Sequence, residues 1–256
     1  MFHGESAPMS SLTPTPASNL NSPLFESAVF ATDEGHLQQV DPLQADWLTA
    51  ARARLLVKRA VDFMGASVGL MLLTPVMLLI AVLIRMDSPG PILFRQLRRG
   101  HRGRLFRVLK FRTMMEKAEQ YLPDLESSNE SPGGVLFKLR QDPRVTRLGR
   151  FLRQYSLDEL PQLINVWWGE MSLVGPRPLQ LRDSDLLRAS NPAAYSRRLE
   201  VMPGLTGPWQ VGGRSEVDYE RMLELDIKYV ENWSLGQDLF IICRTFLVVL
   251  LRRGAY

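Results

Sequence analysis

Two adjacent carboxylates, Asp158 and Glu159, stand inside Ser156-Leu157-Asp158-Glu159-Leu160-Pro161-Gln162, just ahead of an apolar pattern with helical spacing. Such a pair can supply a nucleophile, a general acid or base, or oxygens for a metal ion. The same spacing suits a capping box, in which Ser156 and Glu159 close a helix start, and acids are common in a first turn. Spacing alone favours capping over catalysis. Pro161 weighs against the box, because proline suits the first helical position and not the fifth residue after a cap. A helix starting near Leu160 would leave both acids at its mouth.

The chain is well supplied with groups that suit phosphate. They are Lys110 and Arg112 in Lys110-Phe111-Arg112-Thr113, Arg144 in Asp142-Pro143-Arg144, Arg150, Arg153, and Arg177 between Pro176 and Pro178. A guanidinium fork matches phosphate oxygens, and the flanking prolines would hold Arg177 at a fixed angle. A basic face of this kind would serve lipid headgroups or RNA equally well. His3, His36 and His101 have no metal-ligand spacing, and no HExxH, GxSxG or phosphate-loop signature is present. Cys243 is the only cysteine, which rules out an internal disulfide and fits a reducing compartment.

These residues need elements to hold them, and the most distinctive is an apolar run from Phe63 to Ile84. A straight helix of that length reaches about 33 Å, enough for a hydrocarbon core of about 30 Å. Thr74-Pro75 interrupts it midway, and a proline there divides the run into two arms of roughly 16 Å, neither able to span. Arg52, Arg54, Lys58 and Arg59 precede the run, and Arg85, Arg95, Arg98, Arg99 and Arg102 follow it. Positive charge on both flanks puts both ends on the cytoplasmic face, so the sequence predicts a helix, a break and a return. A kinked transmembrane helix is the alternative, since such helices tolerate proline when neighbours satisfy the freed carbonyl.

Residues 1–46 are rich in Ser, Pro, Thr and Asn, with six acidic residues and no Lys or Arg, and read as a disordered acidic arm without a signal peptide. The net charge of +4 for the whole chain then becomes +10 for the remainder, a surface drawn to acidic partners. Residues 47–87 form a basic lead-in and the broken helix, and 88–256 a catalytic unit. Within that unit Ile92 to Met114 predicts two strands joined around Gly100 and Gly103. A polar loop follows at Pro132-Gly133-Gly134. Leu160, Leu163, Ile164 and Trp167 predict a helix ending at Gly169. A linker through Pro176 and Pro178, a helical region to Met202, a loop over 203–214, a helix over 216–232 and an apolar helix over Leu239–Leu251 complete the chain. The fold class is mainly α with a small β-hairpin.

Taken in order, these blocks resemble the polyprenyl-phosphate phosphoglycosyl transferases, from about Lys58 to Tyr256. The resemblance rests on Gly90-Pro91, Phe94-Arg95-Gln96, Leu109-Lys110-Phe111-Arg112-Thr113-Met114, Asp142-Pro143-Arg144, Leu157-Asp158-Glu159-Leu160-Pro161-Gln162, Met171-Ser172-Leu173-Val174-Gly175-Pro176-Arg177-Pro178 and Pro203-Gly204-Leu205-Thr206-Gly207. The ending, Tyr229-Val230-Glu231-Asn232-Trp233-Ser234 and Arg253-Gly254-Ala255-Tyr256, is similar to the exopolysaccharide-initiating members. Two departures stand out: Thr74-Pro75 where the family has Ser-Pro, and Gly207-Pro208-Trp209-Gln210-Val211 where many relatives read Gly-Trp-Ala-Gln-Val. Many relatives also carry several membrane helices before the catalytic unit, where this chain has a polar arm.

The resemblance implies a monotopic protein of the bacterial inner membrane with a re-entrant helix, interfacial amphipathic helices and a cytoplasmic catalytic face. The implied reaction moves a sugar-1-phosphate from a UDP-sugar to polyprenyl phosphate, releasing UMP through a phosphosugar-aspartyl intermediate. Asp158 would be the nucleophile and Glu159 its assistant, either of them binding Mg²⁺. Lys110, Arg112, Asp142, Arg144, Arg153, Gln162, Arg177 and Arg214 would bind substrate, with membrane lipid as the other partner and no nucleic acid. A UDP-releasing glycosyltransferase or a non-enzymatic membrane adaptor would use the same basic face, and the adaptor would leave Asp158-Glu159 without a role.

Overall fold

The computed structural model describes residues 42–125, 129–130, 139, 141–213 and 218–251. The elements run α1 (Pro42–Asp87), β1 (Leu93–Arg99), β2 (Leu105–Phe111), a short α2 (Leu122–Leu125), α3 (Arg147–Gln154), α4 (Gln162–Trp168) and β3 (Ser172–Val174). They continue as α5 (Leu181–Ser190), α6 (Pro192–Arg198), β4 (Gly204–Thr206), α7 (Pro208–Gly212), α8 (Tyr219–Glu231) and α9 (Leu235–Leu250). Most of the acidic arm, the loop at Pro132-Gly133-Gly134, Arg214 and Arg253-Gly254-Ala255-Tyr256 lie outside the described residues. The arm gives way to helix at Pro42, earlier than its composition predicts, and proline suits that first helical position.

Helix α1 is one continuous element with Pro75 inside it. The expected interruption is therefore a local defect and not a gap. Proline withholds the N–H that the carbonyl of Met71 would accept, while Thr74 Oγ1 donates to Leu70 O (2.5 Å), and the helix resumes on the far side. Over Arg52–Asp87 the helix is long and apolar enough to cross a membrane by length and composition, with mean hydropathy 2.6 and 11% of its apolar window buried. Leu56, Met71, Leu72, Leu78, Leu79 and Met86 are each at least 60% exposed.

Both halves of α1 nonetheless pack on the same body. In the first half Ala66 is fully buried among Phe106, Val108, Val166 and Met171. In the second, Ile80 and Ile84 lie buried with Phe111 and Leu152. The two attachment zones, Asp62–Ala66 and Ile80–Ile84, together span about 33 Å along a straight helix. Polar groups fix the first zone. Lys58 Nζ pairs with Asp238 Oδ2 (2.6 Å) and donates to Val174 O (3.1 Å), and Arg59 donates to Val166 O (2.9 Å) and Trp167 O (3.2 Å) at the C-terminus of α4, where a cation is favoured. Asp62 Oδ1 accepts from Ser172 Oγ and Leu173 N, both at 2.9 Å.

The hairpin forms as the sequence predicts, Leu93 opposite Phe111 and Arg99 opposite Leu105, around a turn with Arg102 and Gly103 at positive φ. Its β2 edge is covered by Asn165 of α4. Asn165 Oδ1 accepts from Leu109 N (3.0 Å) and Nδ2 donates to Arg107 O (2.9 Å), satisfying ladder groups that would otherwise be open. The segments expected as linker and loop instead contribute β3 and β4, paired in parallel with Ser172 opposite Gly204 and Val174 opposite Thr206. Three residues per strand are too few to show a period. Glycine allows the approach: a Cβ on Gly204 would lie 2.1 Å from Gly175 N.

Asp62 is buried, and Asp62→Ala leaves Ser172 Oγ and Leu173 N without that acceptor. The substitution is expected to cost about 2–4 kcal/mol of stability, read as a lowered thermal unfolding midpoint in detergent, with Asp62→Asn in between. An unchanged midpoint for Asp62→Ala would show that this contact does not hold α1 to the body.

Candidate functional site

The two acids sit on a single 3-10 turn, Leu157–Glu159, between α3 and α4. Ser156 has left-handed backbone (φ 56°) and its side chain makes no cap hydrogen bond, so the capping box suggested by the spacing does not form. Helix α4 instead begins after Pro161, and the acids stand just ahead of it. The turn packs against β2, which brings Lys110 to it, while the segment after β3 brings Arg177.

The two carboxylates have opposite surroundings. Glu159 Oε1 accepts from Lys110 Nζ (2.6 Å) and from Arg177 Nη2 (2.8 Å), and Oε2 from Arg177 Nη1 (3.4 Å). Burial alone would raise its pKa, but Arg177 and Lys110 outweigh burial and hold the carboxyl far below the usual range. Asp158 is buried, and among the described residues no cation comes within ion-pairing distance of it. Burial therefore pushes its pKa up, with Glu159 adding to the rise and Lys110, Arg153 and Arg177 opposing it from further off. The result is a desolvated, unpaired carboxyl inside a ring of cations, a suitable setting for attack on an anionic electrophile.

The other expected residues divide into two groups. Arg153 Nε donates to Thr113 Oγ1 (2.9 Å) and its charge reaches Asp158, while Gln162 is buried beside Lys110 and Arg177 in one recess. Arg112, Asp142 and Arg144 brace the fold. Arg112 Nη1 donates to Pro89 O (2.7 Å) and Nη2 to Ser88 O (2.7 Å), tying the end of α1 to the hairpin. Gly90 is required there: its φ is +114°, and a Cβ would fall 2.2 Å from Arg112 Nη1. Arg144 and Asp142 form a buried two-pronged pair (2.9 and 2.6 Å) that sets the loop before α3.

Three residues of this neighbourhood escape the sequence reading. Arg98 lines the same recess as Lys110. Strand parity is the signal for it: with the turn at 100–104, Arg98 faces Phe106, and Lys110 lies an even four residues further along β2. Arg198, buried and paired with Asp226 (Nε to Oδ2, 3.0 Å), donates Nη2 to Arg177 O (2.8 Å). Trp209 stacks its ring 5.7 Å from the Arg177 guanidinium. These last two join distant segments; Trp209 is marked in the sequence only as part of the 207–211 departure, and no local pattern marks Arg198. Among the described residues no group of three or more His, Cys, Asp and Glu side chains is placed to hold a metal ion by itself.

Removing the charge of Glu159 should lower the pKa of Asp158, because a negative neighbour is lost and Lys110 and Arg177 are released to act on Asp158. In protein labelled with ¹³C at aspartate carboxyls, Asp158 is expected to titrate above the ordinary aspartate range and Glu159→Gln to move that midpoint down. A midpoint that stays put would mean the two acids are not electrostatically linked.

The bacterial sugar transferase family model matches residues 53–252. The exopolysaccharide production protein ExoY of Rhizobium meliloti is 44% identical over 204 residues, covering 78% of this chain and 88% of the relative. The UDP-glucose:undecaprenyl-phosphate glucose-1-phosphate transferase of Caulobacter vibrioides is 43% identical over 204 residues, 78% of this chain and 72% of the relative. The undecaprenyl-phosphate galactose phosphotransferase of Salmonella typhimurium is 40% identical over 210 residues, 81% of this chain but only 43% of the relative's length.

Proposed function

The chain belongs to the bacterial sugar transferase family, and from that premise we propose that it is a phosphoglycosyl transferase moving a sugar-1-phosphate from a UDP-sugar to polyprenyl phosphate with release of UMP. The observation that carries the mechanism is the division of labour between Asp158 and Glu159. In the first step an Asp158 carboxylate oxygen bonds to the phosphorus next to the sugar, and the bridging P–O bond breaks with its electron pair leaving on UMP. In the second, an oxygen of the lipid phosphate bonds to the same phosphorus and the aspartyl P–O bond breaks, regenerating the carboxylate. The sugar's anomeric C–O bond is untouched, so its configuration is kept.

Glu159, held ionised by two cations, is a weak proton acceptor, and we assign it to orienting Lys110 and Arg177 toward the phosphates. Arg177 is fixed from behind by Arg198 on its carbonyl and by Trp209 on its guanidinium face. Mg²⁺ fits this donor set, because the ion is commonly held by one or two carboxylates with substrate phosphates completing its shell, and Asp158 and Glu159 are the carboxylates present. Bound there, it would supply positive charge to the diphosphate.

The lipid acceptor demands a site at the height of the membrane surface. The attachment of both halves of α1 to one body supports a helix that enters one leaflet and returns, and the positive charge on both flanks of the apolar run supports a catalytic unit on the cytoplasmic side.

The test incubates the full chain in nanodiscs with polyprenyl phosphate, Mg²⁺ and a panel of UDP-sugars, assaying UMP and UDP separately. UMP should form only with lipid present at steady state, and Asp158→Asn should lower the rate at least about 10³-fold while membrane binding is unchanged. Near-wild-type rates in that variant would remove Asp158 as nucleophile, and UDP as product would identify a glycosyltransferase. Because the nucleophile must be ionised and its pKa is raised, the rate should fall on acidification at a pH above the usual aspartate range.

A further inference from the structure

Arg98, Lys110, Arg177 and Gln162 line one narrow recess closed by Val108 and Pro178. The carboxylate ion-paired with these cations is Glu159, shared between Lys110 and Arg177. Arg98 finds neutral acceptors: Nη1 donates to Pro178 O (3.0 Å) and Nη2 to Gln96 Oε1 (2.5 Å), and no ion pair to it occurs among the described residues. Arg98 Nε and Gln162 Nε2 are both buried and have no acceptor. Burial and the neighbouring Arg177 draw the Arg98 pKa down to about 10, against a weaker pull from Asp183 and Glu159. The recess thus holds three cations, of which, among the described residues, only Lys110 and Arg177 are ion-paired, both to the one carboxylate of Glu159, together with two N–H donors without acceptors. Buried cations and donors in that state are unfavourable until an anion reaches them.

Resting on the double displacement proposed above, we infer that Arg98 and Gln162, with Lys110 and Arg177, form a phosphate-monoester pocket used twice in each cycle. It holds the phosphate of the departing nucleotide in the first half and the phosphate of the incoming lipid in the second. An in-line displacement requires this economy. In both halves Asp158 occupies one apical position on the transferred phosphorus. The UMP oxygen that leaves and the lipid oxygen that enters must therefore use the other. Both groups are phosphate monoesters with a charge near −2 at neutral pH, which suits a recess lined by three cations.

Calorimetric titration of the full chain in nanodiscs tests this without turnover, using UMP, farnesyl phosphate as the isoprenyl phosphate, and uridine as the neutral control. UMP and farnesyl phosphate should compete. Arg98→Met and Gln162→Leu should each weaken both roughly 10- to 100-fold and leave uridine unchanged. Gln162→Leu also controls for folding, since its amide nitrogen has no acceptor to lose and its melting point should not fall. Simultaneous binding of the two phosphates, or variants that weaken one and spare the other, would overturn the shared pocket. UMP release from a UDP-sugar in a protein that binds both phosphates at once would leave the transferase reading standing alone. Competition lost in both variants, in a protein that releases no UMP, would uphold the pocket and remove the reaction.

Discussion

Every polar group carried by an apolar helix must find a partner on the protein, and in this chain that requirement decides how the molecule is assembled. Lys58, Arg59 and Asp62 lie one turn apart on α1, and each reaches a different part of the body: α9 and β3, the end of α4, and the start of β3. Asp238 gathers the largest share. It takes Lys58 on one oxygen with Trp233 Nε1 (3.1 Å), and Tyr229 Oη donates to the other (2.7 Å). In an apolar setting each unmet group would cost several kcal/mol, so these contacts admit one docking of α1 and few alternatives. The hairpin, α4 and the β3–β4 pair are positioned by that docking, and the recess at Lys110 is what they enclose.

At the site, two neighbouring residues of the same chemical type acquire different chemistry from their surroundings. Glu159 is neutralised by a lysine and an arginine and becomes a structural hinge for both. Asp158 is buried with no cation at ion-pairing distance among the described residues, and burial pushes its pKa up. The turn they share is too short for either to move independently. The supports of Arg177 extend this logic outward, since the Arg198–Asp226 pair is buried in α6 and α8, far along the chain from the acids it serves.

Much of this was legible in the residues. The apolar run, the glycine-bearing hairpin turn, the helix closing at Gly169 and a supply of cations near the two acids follow from period, charge and turn chemistry, and the structure contains all of them, with Lys110 and Arg177 paired to Glu159 and Arg153 bonded to Thr113. What the sequence hid has a common cause. β3 and β4 are three residues each and pair across thirty positions, so neither shows a period. Arg112 and Arg144 have the same composition signal as Arg177, yet the structure gives Arg112 the carbonyls of Ser88 and Pro89, Arg144 the carboxylate of Asp142 and Arg177 that of Glu159; only tertiary partners tell the three apart. Ser156 and Glu159 match a capping box in spacing, but the left-handed backbone at Ser156 removes the geometry that the spacing needs. Thr74-Pro75 reads in the sequence as a break, and the structure holds only a local defect there, because a single proline deletes one hydrogen bond and leaves its neighbours intact.

The span between Lys58 and Asp238, 180 residues, also has a meaning in time. A ribosome adding about 5–20 residues each second needs roughly 10–40 s to make the second after the first. Throughout that interval Lys58 lacks its carboxylate, while the partners of Arg59 and Asp62, 107 and 111 residues further along the chain, are made sooner. A helix placed in a membrane before that moment would be an anchor onto which the rest of the chain folds back.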